Sequence, residues 1–459
     1  MSSKPDTIIG LEVHIQLKLQ SKLFCPCTTK PCEEPNTHVC PICLGHPGSK
    51  PLLNKKAVEA AVKLALALGA KVNARIHFSR KSYFYPDLAK GYQITQYEIP
   101  VATEGSVLLP SGNMVGLTRL HIEEDPASLT HKETTCLIDY NRSGIPLIEL
   151  VTKPEMHSPE EAREFLNELI TVLQYLDIFD PTAGIMKADA NISIAKHKYT
   201  RVEIKNILGF KEIERALTHE MKRQQVHDVV RETRGWDSVA GQTYSMRAKE
   251  EEADYGYILD PDITPIQITQ EFIAGVRKTI PELPPVKAQR YHQILGVDAT
   301  DAHVIASDLA LALLFEELAA HHNPVLVARW LRRELLRALN LSNKKVTDVN
   351  AQHLHELFEL IEEKKITDKI AQQLMEELVK KDFSPKQRVQ EQKLGVVADE
   401  DLIKKACRDI IAQNRQAVED YEKGEEKALH FLFGKVMAVT KGKAQPDVIK
   451  KMLEELLKK

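Results

Sequence analysis

The hydrophobic period changes once along the chain, near residue 290, and that change limits what each part can become. Before it, short runs alternate apolar and polar residues, as in 7–17, 115–123 and 146–151. A period of two puts one face of a strand into a core. After it, apolar residues recur at helical spacing in 306–318, 323–339, 350–363 and 369–380. The first part also carries helices. One is expected over 55–68, capped by Asn54 and stopped by Gly69. Another follows Ser158-Pro159-Glu160-Glu161, where Ser caps, Pro takes the first turn and the acids meet the helix dipole. The expected class is α+β: a mixed α/β domain over 1–292, an all-α helical domain over 293–393, and a small helical tail over 394–459. With 459 residues in total, each part has enough chain for a core of its own.

Composition narrows the setting. The formal net charge of -3 advertises no nucleic-acid partner for the whole molecule, though a local basic face stays open. No apolar run approaches membrane-spanning length, and the start resembles neither a signal peptide nor a transit peptide. A cytoplasmic protein with reduced thiols is expected. In that setting Cys25, Cys27, Cys40 and Cys43 form two tight pairs on either side of a short loop, the spacing of a tetrahedral thiolate zinc site. The first pair is one residue shorter than usual, and a disulfide or plain reduced thiols are the competing readings. Cys32, His38 and His46 are near enough in sequence to substitute as ligands, whereas Cys136 and Cys407 read as core residues. A closed four-thiolate site is structural and does not name a chemistry.

Candidate chemistry sits elsewhere. Glu12 and His14 are two apart on an expected strand, so they share a face. Further acids follow in His121-Ile122-Glu123-Glu124-Asp125, and Glu149 interrupts an otherwise buried run. A charge there needs a partner or a metal. Oxygen-rich ligation suits Mg²⁺; the histidine leaves manganese or an outer-shell role for His14 open. The segment 80–96 interleaves cations, aromatics and amides, a pattern that suits phosphate and unpaired bases or, more plainly, an edge strand and turn. Arg142 lies in Asn141-Arg142-Ser143-Gly144, a forked cation at a glycine turn. Asp189, Asn191, Glu203, Lys205 and Asn206 add polar positions, mostly alternating. Lys450, Lys451, Lys458 and Lys459 make the tail basic, which is a solvated face or a nucleic-acid contact. No Walker phosphate loop, dinucleotide fingerprint, zincin helix or nucleophile elbow is present.

Taken together, these motifs resemble one family: GatB, the B subunit of the glutamyl/aspartyl-tRNA amidotransferases. The matching segments are 9–14, the cysteine module, 83–87, 92–96, 118–125, 141–149 and 189–193, with a tail like the GatB/YqeY module. The archaeal relative GatE carries a large insertion for which this chain looks too short. The resemblance implies an ATP-dependent carbon–nitrogen ligase acting on Glu-tRNA(Gln) or Asp-tRNA(Asn). It implies Mg²⁺ on Glu12, His14, Glu124 and Glu149, and zinc on the four cysteines. Lys81, Arg142 and Lys187 would face ATP phosphates. It also implies ammonia from a separate glutaminase subunit, which a further, small subunit holds in place. The helical parts would hold tRNA, and neither DNA nor membrane would be a partner. Two departures stand out. Lys187 replaces a usual arginine, and in Asp254-Tyr255-Gly256-Tyr257-Ile258-Leu259-Asp260-Pro261 a glycine does so. They motivate an alternative, a divergent non-catalytic tRNA-binding scaffold. A third reading, a zinc-dependent nucleic-acid binder of another kind, leaves the buried acids unexplained.

Overall fold

The computed structural model describes residues 5–248, 256–396, 400–422, 425–440 and 443–457. The chain divides into two compact units, the first ending at Leu283 and the second starting at Pro284. Strand and helix together in the first and helices alone in the second make the class α+β. The helix Pro284–Gln293 contributes Tyr291 to the second unit's core, so the first unit closes before residue 292.

The first unit is organised by a ten-stranded, mostly antiparallel sheet. Its middle runs, in spatial order, Val202–Leu208, Met186–Ile194, Thr7–Gln16, Pro146–Thr152 and Met114–Glu124. Alternation explains why these strands pair as they do. Ile9, Leu11, Val13 and Ile15 are all buried, and they share one face with Ile148, Leu150, Leu120, Ile122, Ala190 and Ile192. Helices Lys55–Ala67, Pro159–Tyr175 and Phe210–Val226 add buried residues to the same core. Slipping any of these strands by one residue would turn its charged positions into that core, so the pattern sets the register.

Local signals place the helices. Asn54 accepts a hydrogen bond from the Lys56 amide and caps the first, and Gly69 follows its end with φ 66°. That left-handed conformation suits glycine and lets the chain turn back. Ser158 accepts from the Glu161 amide at 3.2 Å, with Pro159 in the first turn. Phe165, Leu166, Leu169 and Leu173 are fully buried on the inner stripe. Ser158→Ala is expected to cost about 1 kcal/mol of stability, measurable as a lower urea midpoint with an unchanged slope.

In the second unit, helices surround a core that includes Phe315, Leu331, Phe358 and Leu374, and a smaller core holds Cys407, Leu432, Val436 and Leu453. The expected helix over 306–318 is split. One helix ends at Ala306, and Asp308 accepts from the Leu311 amide to start Leu309–Ala319. The expected 323–339 helix is continuous but contains a π-type turn at Leu331–Leu335. No described helix is long and apolar enough to cross a membrane.

Candidate metal centre and phosphate pocket

The face of the sheet opposite the core carries the chemistry. Pairing sets His14 opposite Glu149 on one side and Lys187 on the other, and sets Glu149 opposite His121. Lys187, His14, Glu149 and His121 therefore form one row across four strands. The next row holds Asp189 opposite Glu12. Period two then adds Glu123 beside His121, and Asn191, Glu203 and Lys205 further along.

The row converges on a cluster. The Nδ1 of His14 lies 2.9 Å from Glu123 Oε1 and 4.0 Å from Glu149 Oε2, while the Nε2 of His121 lies 3.3 Å from Glu149 Oε2. Glu123, Glu149 and His121 are buried. Burial works against charge on each imidazole, but the carboxylates outweigh it. The hydrogen bond and charge of Glu123 push His14 up to about 10, and Glu149 leads in pushing His121 up to about 9. Burial likewise opposes charge on the acids. His121 and His14 nonetheless hold Glu123 well below the carboxylate range and Glu149 at about 2. The Nδ1 of His121 is buried without a hydrogen-bond partner.

His14, Glu123 and Glu149 can each offer a ligand atom, all within 4.8 Å of one another. Two carboxylates and an imidazole at that spacing fit a divalent ion that keeps waters. Glu124, the acid expected in the magnesium set, is placed elsewhere. It accepts from Lys90 Nζ at 2.5 Å and from the Ile94 amide at 2.9 Å, tying the Tyr92–Thr95 strand to the sheet. Glu12 lies one row away, where Asn191 Nδ2 donates to its Oε1 at 3.2 Å. Burial, then Glu149, Asp189 and Glu203, raise its carboxyl above the ordinary value. Beyond it, Lys205 Nζ donates to Asp189 Oδ2 at 3.1 Å.

All three expected phosphate cations line one pocket with this cluster. The cavity, of about 180 Å³, is bounded by Lys81, Arg142 and Lys187 together with His14, Glu123, Glu149, Asp125 and Asp189. Arg142 donates to Asp125 through both Nε and Nη2, at 2.5 and 3.0 Å. Burial and the nearby Arg142 guanidinium lower Lys187 below the usual lysine range. Lys81 belongs to Ser79–Ser82, which pairs with both Tyr92–Thr95 and Gly256–Leu259. That strand is therefore internal to its small sheet, not an edge. Gly256 sits opposite Ser82, and Asp260 pairs with Arg80 at 2.9 Å; Asp254 and Tyr255 lie outside the described residues. Phe84, at the turn between the strands, is fully exposed.

The four cysteines converge separately. Their Sγ atoms lie within 4.8 Å of one another, with 3.9 Å between Cys40 and Cys43. A tetrahedral zinc with thiolates at about 2.3 Å needs sulfurs about 3.8 Å apart, so the residues fit the ion. A hydrogen bond from the Cys25 thiol, helped by Lys22, pulls Cys43 down to about 4. Burial and Cys40 push Cys27 up to about 11. Cys32, His38 and His46 are outside this cluster. Cys136 is half-exposed on a two-stranded ribbon and belongs to no core, whereas Cys407 is buried in the tail's core.

Two family models match the chain: one described as the GatB/GatE catalytic domain over residues 7–274, the other as a GatB domain over 313–457. Among its relatives is the B subunit of the aspartyl/glutamyl-tRNA(Asn/Gln) amidotransferase of Thermotoga maritima, 42% identical over 474 residues and covering 98% of each chain. The protein of that name from Brevibacillus brevis is 42% identical over 474 residues, covering 99% of each. That of Caldanaerobacter subterraneus is 41% identical over 474 residues, covering 99% of this chain and all of its own.

Proposed function

The chain belongs to the GatB/GatE family, and from that premise we propose that it is the subunit of a tRNA-dependent amidotransferase that activates and amidates the aminoacyl side chain. The observation that carries this reading is the shared pocket, in which Lys81, Arg142 and Lys187 face the His14–Glu123–Glu149 cluster. Ammonia cannot displace oxide from a carboxylate. In the proposed first step a side-chain carboxylate oxygen of Glu-tRNA(Gln) or Asp-tRNA(Asn) attacks the γ-phosphorus of ATP, and ADP leaves. Ammonia nitrogen then bonds to the acyl carbon, the carbon–oxygen bond to phosphate breaks, the nitrogen gives up one proton to the departing phosphate, and inorganic phosphate leaves with the amide formed.

Phosphoryl transfer needs positioning and charge neutralisation more than covalent help from the protein. Lys81, Arg142 and Lys187 bind and orient phosphate oxygens. Asp125 fixes the Arg142 fork by two parallel bonds, so its planar donors are preset. His14, Glu123 and Glu149, with Glu12 nearby, would hold Mg²⁺, which would supply further charge neutralisation when bound. The cysteine module holds Zn²⁺ as a structural ion. Ammonia comes from a glutaminase subunit held by a further, small subunit, and the helical unit holds the tRNA body in the cytoplasm. The relatives are each named as one lettered subunit, which supports an assembly of several different chains. The assembled cation and ligand set favours a catalytic role over a scaffold.

The test is amide formation on purified Glu-tRNA(Gln) and Asp-tRNA(Asn) by the complete complex with ATP, Mg²⁺ and glutamine or ammonia. Turnover on either substrate supports the reading and names the substrate. Tight tRNA binding with no turnover on both returns the chain to the scaffold.

Lys187 gives a second, opposed pair of readouts. Its amine is held below the ordinary value of 10.5, so the unfolded chain keeps this proton to higher pH than the folded one. The cost of burying the charge is full at neutral pH and fades as pH rises through the window beneath 10.5. Lys187→Met is therefore expected to raise the melting temperature of the ligand-free chain at pH 7. It should also lower amide formation on the order of 10²-fold. A melting temperature that falls while turnover holds would remove Lys187 from the phosphate site.

A further inference from the structure

The helical unit holds a histidine cluster that the amidotransferase chemistry does not use. His322 follows the helix Leu309–Ala319, and His355 lies on Ala351–Glu362. The Nε2 of His322 and the Nδ1 of His355 are 3.0 Å apart. On its other side, the Nδ1 of His322 lies 2.7 Å from Glu362 Oε2. The Nε2 of His355 lies 3.8 Å from Glu317 Oε1. Both rings border an open cavity of about 510 Å³, together with His321, Glu359 and Glu362.

We propose that His322 and His355 form a third metal site, for a divalent transition ion of the zinc, cobalt and nickel class. Three features of the geometry carry it. The first is spacing: two imidazole nitrogens on one tetrahedral ion at about 2.0–2.1 Å stand about 3.3 Å apart, a few tenths of an ångström from the distance found. The second is orientation. Glu362 accepts the Nδ1 proton of His322, which leaves Nε2 as a lone-pair donor aimed at His355, the carboxylate–histidine arrangement that steadies metal-binding imidazoles. Glu362 is itself fixed by the Asn323 amide at 2.7 Å. The third is room. His322 is buried, yet the cavity leaves space for the ion and the waters that complete its shell.

Glu359, one helical turn beyond His355, borders the same cavity and is a carboxylate available for a third ligand. It pairs with Lys386, which must release it first. Without metal, one proton between the two rings takes the ion's place. With metal, the end of Leu309–Ala319 is clamped to Ala351–Glu362, which ties two helices of one core. Imidazole and carboxylate ligands of this kind suit zinc, cobalt and nickel in preference to magnesium.

The experiment is a Co²⁺ titration of the full chain with its cysteine site already filled with Zn²⁺, followed by the visible spectrum and by thermal melting. The expected result is one equivalent beyond the one taken by the His14–Glu123–Glu149 cluster, with a nitrogen/oxygen-type band of its own, free of thiolate charge transfer, and a raised melting temperature. His355→Gln should abolish that band. Glu362→Gln should keep it but weaken binding 10–100-fold. Wild-type protein that shows no such band overturns the proposal without any variant. So does a band of the same affinity in a folded His355→Gln chain.

Discussion

Replacing Glu149 by glutamine is expected to lower amide formation on the order of 10³-fold while leaving tRNA binding intact. Glutamine keeps the shape and removes the charge that the two imidazoles share and that the proposed divalent ion would use. Glu123→Gln is expected to do the same, because its two oxygens face His14 at 2.9 Å and His121 at 3.8 Å. Both variants should also raise the Mg²⁺ concentration needed for half-maximal turnover, since each removes a ligand charge. Glu124→Gln behaves differently. Its carboxylate neutralises Lys90, whose side chain is only 11% exposed, so the loss appears first as stability. Breaking a buried pair from one side costs about 3–5 kcal/mol. The three variants measured together in one complex separate a ligand from a strut. If Glu124→Gln alone abolishes Mg²⁺ dependence with unchanged stability, and Glu123→Gln is silent, Glu124 and not Glu123 is the ligand.

That pair of adjacent acids also marks the limit of what the sequence alone specifies. The alternation in 7–17 marks Glu12 and His14 as neighbours on one face, and the strand Thr7–Gln16 places them there. Ser158-Pro159 and Asn54 mark helix starts that the structure keeps. In His121-Ile122-Glu123-Glu124 the same rule of two, counted from His121, selects Glu123 and not Glu124. The signal was present. What decides its use is which partner strand faces which parity, and that depends on pairing with Pro146–Thr152 across a loop. The neighbour of Ser79–Ser82 was less legible still, because Gly256–Leu259 is far away in sequence and carries no motif pointing back. The break at Asp308 follows from a capping side chain inside an apolar helical pattern, where periodicity alone continues straight through.

With zinc in the cysteine module as proposed, loss of that ion should reach the proposed phosphate pocket, although no cysteine lines it. The link is the turn that carries Arg142. Lys22 Nζ approaches Cys43 Sγ at 3.7 Å and donates to the Tyr140 carbonyl at 3.1 Å. The Leu23 amide donates to the Gly144 carbonyl at 2.8 Å, and the His38 amide to Asn141 Oδ1 at 2.7 Å. Gly144 has φ 87°, and a Cβ there would stand 3.8 Å from both Cys43 Cβ and Glu124 Oε2. The thiolate knuckle, the Arg142 turn and the end of the Met114–Glu124 strand thus meet at one residue. The core does not depend on the module in the same way, since Leu23 and Phe24 anchor its start while Glu33, Glu34, Asn36 and Thr37 are exposed. Opening should therefore be local. Cys43→Ser, or zinc stripped by a strong chelator, is expected to lower amide formation 10–100-fold with far-ultraviolet circular dichroism unchanged. Hydrogen exchange should rise at 138–145, and protease should cut within 28–46. Release of one zinc per chain with turnover and exchange both unmoved would show that the module only closes its own loop. A rise in exchange confined to 138–145 would instead mark Zn²⁺ as the ion that keeps Arg142 aimed at the pocket.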